Sequence, residues 1–182
     1  MAQYVPFDEN AEVSGQSILG FVNAIPVFRE EMLQVLQKNG IDNLKPDEWY
    51  PMICNLNAYK EIGESYGANT LFAISKAIPE HAVFPSDIDD LEKALASIDV
   101  AYHMNHRNGD IGHYKLIKFS EVDKLATMEC YNPYPSNFDR GIITTMVCKF
   151  KPPTVLRIDV EVDTSKPSRL DGADRCTFRI IW

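Results

Sequence analysis

Apolar residues recur every three to four positions through the first hundred residues of the chain, and every two positions in much of the remainder. The first sixteen residues, 1–16, are polar and read as a loose leading segment. SILGFVNAI, residues 17–25, is apolar but too short for periodicity to separate strand from helix. From Pro26 to Asn39 the stripe of Phe28, Met32, Val35 and Leu36 predicts a helix, with Pro26 in its first turn and Gly40 at its stop. A second helix is predicted from near Asp47 to Tyr66, with Trp49, Met52, Ile53, Leu56 and Tyr59 on one side and a break at Gly67. ANTLFAISKAI continues helical to Pro79. In DIDDLEKALASIDVAYHM the residues Ile88, Leu91, Leu95, Ile98 and Tyr102 fall at 3–4–3–4 spacing, an amphipathic helix with its acidic residues at the N-terminal end.

After residue 112 the period shortens to two. YKLIKF and LATMECY read as strands joined by SEVDK. PSNFDRGIITTMVCKF reads as a helix capped by Ser136 or Asn137, with Phe138, Ile142, Met146 and Phe150 on one face. TVLRIDVEVD alternates cleanly, Leu156, Ile158, Val160 and Val162 against charged neighbours, and CTFRIIW repeats the pattern. The order predicts an α+β domain over residues 17–182, a helical N-terminal half packed on an antiparallel sheet formed by the C-terminal half.

Composition narrows the partners. A formal net charge of −8 argues against nucleic acid and anionic membranes, and no apolar run reaches the ~20 residues of a membrane helix. The N-terminus lacks the basic and apolar regions of a signal peptide, and the four cysteines form no C-x-x-C pair. Reduced thiols and a cytoplasmic location are the expectation.

Two stretches hold candidate chemistry. AYHMNHRNGDIGHY, residues 101–114, carries His103, His106, Arg107 and His113. Three imidazoles would satisfy zinc, but the sequence is a turn between helix and strand, where histidines more often bond to backbone or water. NPYPSNFDRGII, residues 132–143, leads two prolines and two aromatics into a helix whose first turn carries Asp139 and Arg140. It reads either as a packed turn with an exposed ion pair or as the mouth of a pocket formed by Tyr134, Phe138 and Ile142 with Arg140 inside. There is no G-x-S-x-G elbow and no phosphate-binding glycine loop.

The run from Tyr134 through FDRGIITTMVCKF, the strand TVLRIDVEVD and the ending GADRCTFRIIW resemble the 4-vinyl reductase (hydrocarbon-binding) domain family, which includes aromatic-sensing domains of bacterial transcription activators. The helical half is similar to the related haem nitric-oxide-binding and transport-particle-like folds. The resemblance implies a small, usually dimeric α+β domain enclosing an apolar ligand. Several members hold zinc through cysteines spaced C-x7-C. Cys176 matches the second of that pair, while Ser168 and Ser136 stand where the other thiols would be, which implies that the zinc site is lost. The haem branch carries Tyr-x-Ser-x-Arg, and the nearest string here, Tyr134-Pro-Ser136-Asn-Phe138, ends in phenylalanine. No histidine sits on an evident proximal helix.

The expectation is therefore a non-catalytic, homodimeric binding or sensing domain for an apolar or aromatic small molecule, with no metal and no cofactor. His103, His106, Arg107, His113, Tyr134, Phe138, Arg140 and Ile142 are its candidate ligand-binding residues. The alternative is a reductase-type enzyme or accessory protein acting on a tetrapyrrole or phenolic substrate, with one of the clustered histidines as proton donor.

Overall fold

The structure, a computed structural model, describes residues 3–182. Among the described residues of the leading segment, expected to be loose, several pack into the fold. Ala11 and Val13 are buried, Phe7 stacks on Tyr131, and β1 (Glu12–Ser14) runs directly into α1 (Gly15–Asn23). Ser14 caps that helix by accepting from the Ser17 amide at 3.2 Å, which settles SILGFVNAI as helical. A single 3₁₀ turn over Pro26–Phe28 precedes α2 (Arg29–Lys38), whose Met32 and Leu36 are buried. The helix predicted from Asp47 starts five residues later. Pro51 disfavours helical backbone in the residue before it, and Trp49–Pro51 instead forms β2, paired antiparallel to β1. Helix α3 (Met52–Tyr66) follows, then Gly67 at φ +85°, then α4 (Ala68–Ser75) and the short α5 (Ile78–His81).

Helix α6 (Leu91–Asn105) is capped by Asp90, which accepts from the Lys93 amide at 2.7 Å. The chain then turns extended at His106, and β3 (His106–Arg107) pairs with β1 to complete a three-stranded sheet ordered β2-β1-β3. The main sheet comprises β4 (His113–Ser120), β5 (Leu125–Tyr131), β6 (Asp159–Val162) and β7 (Cys176–Ile181), all antiparallel in the order β4-β5-β7-β6, with α7 (Ser136–Phe150) between β5 and β6. Ala126, Met128, Cys130, Cys176, Phe178 and Ile180 form its buried inward rows, and Trp182 stacks on Phe119. This is the α+β architecture that the period change predicts.

Two local expectations give way. TVLRIDVEVD pairs only from Asp159, leaving Leu156 97% exposed before the strand begins. Helix α7 starts at Ser136 with Pro135 at the capping position, so neither Ser136 nor Asn137 caps it by a side chain.

Helices α6 and α7 pack on each other and on the sheet, and α4 crosses α7 closely enough that Gly141 has no room for a side chain. A Cβ there would overlap Ser75 Oγ and lie 2.7 Å from the Phe72 carbonyl oxygen. Gly141→Ala should therefore destabilise the fold by about 1–3 kcal/mol despite its better helix propensity, read as a lower urea midpoint.

Candidate functional site

The helices leave an internal cavity of about 40 Å³ between α3, α6, α7 and the first strand of the main sheet. Each wall follows from helical spacing. Asn55 and Tyr59 lie four apart on α3, Ala101 and Tyr102 sit beside Ile98 and Asn105 on α6, and Phe138 and Ile142 lie four apart on α7. Tyr114 on β4 and Tyr134 before α7 close one side, and Ile78, Ala82 and Phe84 close the other. The cover is fastened by Asn105. Its side chain donates to the Val83 carbonyl at 2.9 Å and accepts from the Val83 amide at 3.3 Å.

A directed chain of hydrogen bonds crosses the site. His106 Nδ1 lies 2.8 Å from the Tyr102 carbonyl oxygen, which can only accept, so Nδ1 carries the proton. His106 Nε2 is then an acceptor, and the Tyr134 hydroxyl donates to it at 2.7 Å. Asn55 lies beside the Tyr59 and Tyr134 hydroxyls on the same wall. Burial pushes the phenols of Tyr59, Tyr102, Tyr114 and Tyr134 above their ordinary value, so all four remain neutral. Burial also pushes His106 down to about 4. Among the described residues two buried side-chain atoms lack a partner, Asn55 Oδ1 and Arg169 Nε, and of these two residues only Asn55 lines the cavity.

A second buried network stands behind the first. Asp139 forms an ion pair with Arg169 and accepts from Tyr114 at 2.6 Å and from Asn132 at 3.2 Å. The exposed Asp139–Arg140 pair expected from sequence is thereby corrected. Asp139 faces inward, fully buried, while Arg140 donates to the Val160 carbonyl at 2.7 Å and lies over the Phe72 ring.

Of the eight candidate residues, the fold brings His106, Tyr134, Phe138 and Ile142 to the cavity. The other four lie elsewhere, Arg140 on the strand carbonyl just described. His103 Nδ1 sits 2.9 Å from the Asp99 carbonyl oxygen at the surface. Arg107 pairs with Glu12 at 2.6 Å over the Trp49 ring, and His113 faces Glu129 on β5. The histidine cluster separates because α6 ends at Asn105, so His106 points inward and His103 outward. Among the described residues no group of three His, Cys, Asp or Glu is placed to hold a metal ion. Ser136 Oγ does meet Cys176 Sγ, at 2.9 Å, and the Arg169 amide donates to the same sulfur at 3.3 Å. Asn55, Tyr59, Tyr102 and Asn105 escape sequence reasoning as site residues, because each sits where a helix's amphipathic pattern reads it as ordinary core or surface.

No protein-family model matches the sequence, and no curated protein matches it. Solved structures do match the fold. An H-NOX protein from S. oneidensis in its Fe(II)NO ligation state is similar with a TM-score of 0.69, covering 92% of this chain and 97% of that one at 12% identity. An oxygen-binding H-NOX domain related to soluble guanylate cyclases, in its oxygen complex, gives 0.64, 92% and 94% at 17% identity. A doubly substituted Tt H-NOX gives 0.64, 93% and 94% at 15%. Other matches concern heme redox potential and heme distortion. At such identities the likeness establishes the fold.

Haem does not fit this interior. His106 Nε2, the nitrogen facing inward, is taken by Tyr134, and Phe138, which stands at the arginine position of the Tyr-x-Ser-x-Arg string, stacks on Tyr134 with centroids 4.8 Å apart.

The site has a pH signature. His106 stays neutral in the folded chain down to about pH 4, whereas in the unfolded chain it takes up a proton near 6.5. Its contribution is thus fully present above about pH 6.5 and lost as pH falls toward 4, by about 3 kcal/mol in all. Urea unfolding across pH 4–7.5 should show this loss, and His106→Gln should flatten that part of the profile.

Proposed function

We propose that this chain is a non-catalytic small-molecule binding or sensing domain whose apolar or aromatic ligand seats in the cavity between α3, α6 and α7. The observation that carries the reading is Asn55 Oδ1, a fully desolvated acceptor with no protein partner on the wall of a mostly apolar cavity. Such an atom is costly to bury unless something else satisfies it. The sequence resemblance to hydrocarbon-binding domains of the 4-vinyl reductase type supports the same reading. A ligand larger than a few waters needs room, and the segment Ala82–Phe84, fastened by Asn105 and by Gln16 donating to the His81 carbonyl at 2.9 Å, is the part of the wall with least regular structure.

Two further elements belong to this proposal. The chain acts as a homodimer in the cytoplasm; Val27, Phe28 and Tyr66 expose apolar area near one another, with the Phe28 and Tyr66 rings 6.4 Å apart, which supports an isologous contact there. No helix among the described residues is long and apolar enough to cross a membrane.

Native mass spectrometry of the protein as purified should detect a non-covalent small-molecule adduct. Ala101→Val, which extends a side chain into the cavity, should lose that adduct while circular dichroism stays unchanged. Protein that carries no adduct, and gains no thermal stability from a panel of apolar and aromatic compounds, would contradict the reading.

A further inference from the structure

Away from the internal cavity, an open cleft of about 480 Å³ lies where the start of α6, the end of α7 and the C-terminal end of β4 meet. It shares no wall residue with the cavity, although α6 and α7 contribute to both. Its apolar wall is formed by Phe119, Phe150, Pro152, Pro153 and Trp182. Trp182 is buried and stacks on Phe119 with centroids 5.1 Å apart, while Phe119 and Phe150 are half-buried and Pro153 is exposed. Apolar area continues past the wall. Val122, next to Glu121, is 94% exposed, and Leu156, three residues after Pro153, is 97% exposed. The ladder row Leu125, Ile181 and Asp159 places both at the same end of the main sheet. Apolar area gathered in this way, with a polar rim, is the mark of a contact surface.

Charge selects the occupant. Asp89, Asp90, Glu92 and Glu121 line the cleft, and all four are exposed. The cations on the wall, Lys149 and Lys151, are each turned to a neighbour. Lys149 lies over the Phe150 ring at 5.5 Å, and Lys151 donates to the Val155 carbonyl. Lys93 holds Asp89 at 2.8 Å and reaches Asp90 at 3.9 Å. Lys124 and Arg157 stand near Val122 and Leu156 in the chain but do not line the cleft. Among the described residues, Glu92 and Glu121 are left without an ion pair. Such a rim repels nucleic acid and anionic membranes, and a second copy of a chain with net charge −8 brings the same acidic face.

We propose that this cleft docks a basic segment of a partner protein. Aliphatic or aromatic side chains of that segment pack on Phe119 and Phe150, and its lysines or arginines pair with Glu92 and Glu121.

The test uses the full chain and three short peptides: alternating lysine and leucine, alternating lysine and serine, and alternating glutamate and leucine. ¹H–¹⁵N NMR follows the Trp182 indole and the amides of Glu92, Phe119, Glu121 and Lys149. The lysine–leucine peptide should shift these signals, with an affinity that falls as salt is added. The lysine–serine peptide should bind about tenfold more weakly, and the glutamate–leucine peptide should leave the signals unmoved. Glu92→Gln combined with Glu121→Gln should weaken lysine–leucine binding about tenfold. Glu31→Gln combined with Glu64→Gln, the same charge change on α2 and α3, should leave it unchanged. Equal losses from the two pairs would reduce the binding to net charge and overturn the docking site. Lysine–serine or glutamate–leucine binding as tightly as lysine–leucine, or no shift with any peptide, overturns it as well. Shifts that depend on protein concentration without peptide would give the cleft to a second copy instead. The peptide ranking on the unaltered chain decides the matter even if a variant fails to fold.

Discussion

The interior of this protein is organised by the hydrogen bond between His106 and the carbonyl of Tyr102. Protonating this buried imidazole would cost about 3 kcal/mol by the depression of its proton affinity, so it stays neutral and engages both nitrogens. The carbonyl takes the Nδ1 proton, and Tyr134 must then give its own to Nε2. Nothing in that sequence can be reversed one bond at a time. The same stretch of chain is where α6 ends and β3 begins.

The fold itself is shared with solved H-NOX structures. The solved H-NOX structures establish that this arrangement of helices and sheet builds a haem domain elsewhere. Here the corresponding interior is closed by the chain's own aromatic side chains, Tyr59, Tyr102, Tyr134 and Phe138, packed ring against ring. A fold supplies a location for chemistry, and the residues at that location decide which chemistry. The buried Asp139–Arg169 pair reinforces the difference, because its bonds to Tyr114 and Asn132 brace the aromatic wall from behind.

How much of this was legible depended on the distance over which each signal acts. Helix α6 and strand β7 were readable because their periodicity is local: Leu91, Leu95, Ile98 and Tyr102 share a face, as do Cys176, Phe178, Ile180 and Trp182. Strands β1 and β2 are three residues each, too short to show a period, and β1 is held by β2 and β3, the farther of them more than ninety residues along the chain. Four of the eight candidate residues reach the cavity: His106 from the histidine cluster, and Tyr134, Phe138 and Ile142 from the proline–aromatic run into a helix. The arginines failed because a guanidinium's partner cannot be read from its neighbours; Arg107 finds Glu12 and Arg140 finds a strand carbonyl. Asn55 left no signal at all, being one polar residue in a helix that needs several.

The protonation of one ring sets the direction of the hydrogen bonds from Tyr102 through His106 to Tyr134, and ¹⁵N NMR of the imidazole nitrogens observes it directly. At pH 6 the His106 resonances should be those of a neutral ring with the proton on Nδ1 and a bare Nε2. A cationic ring, or a proton on Nε2, would reverse the hydrogen bond from Tyr134 and would contradict the assignment on which the site rests.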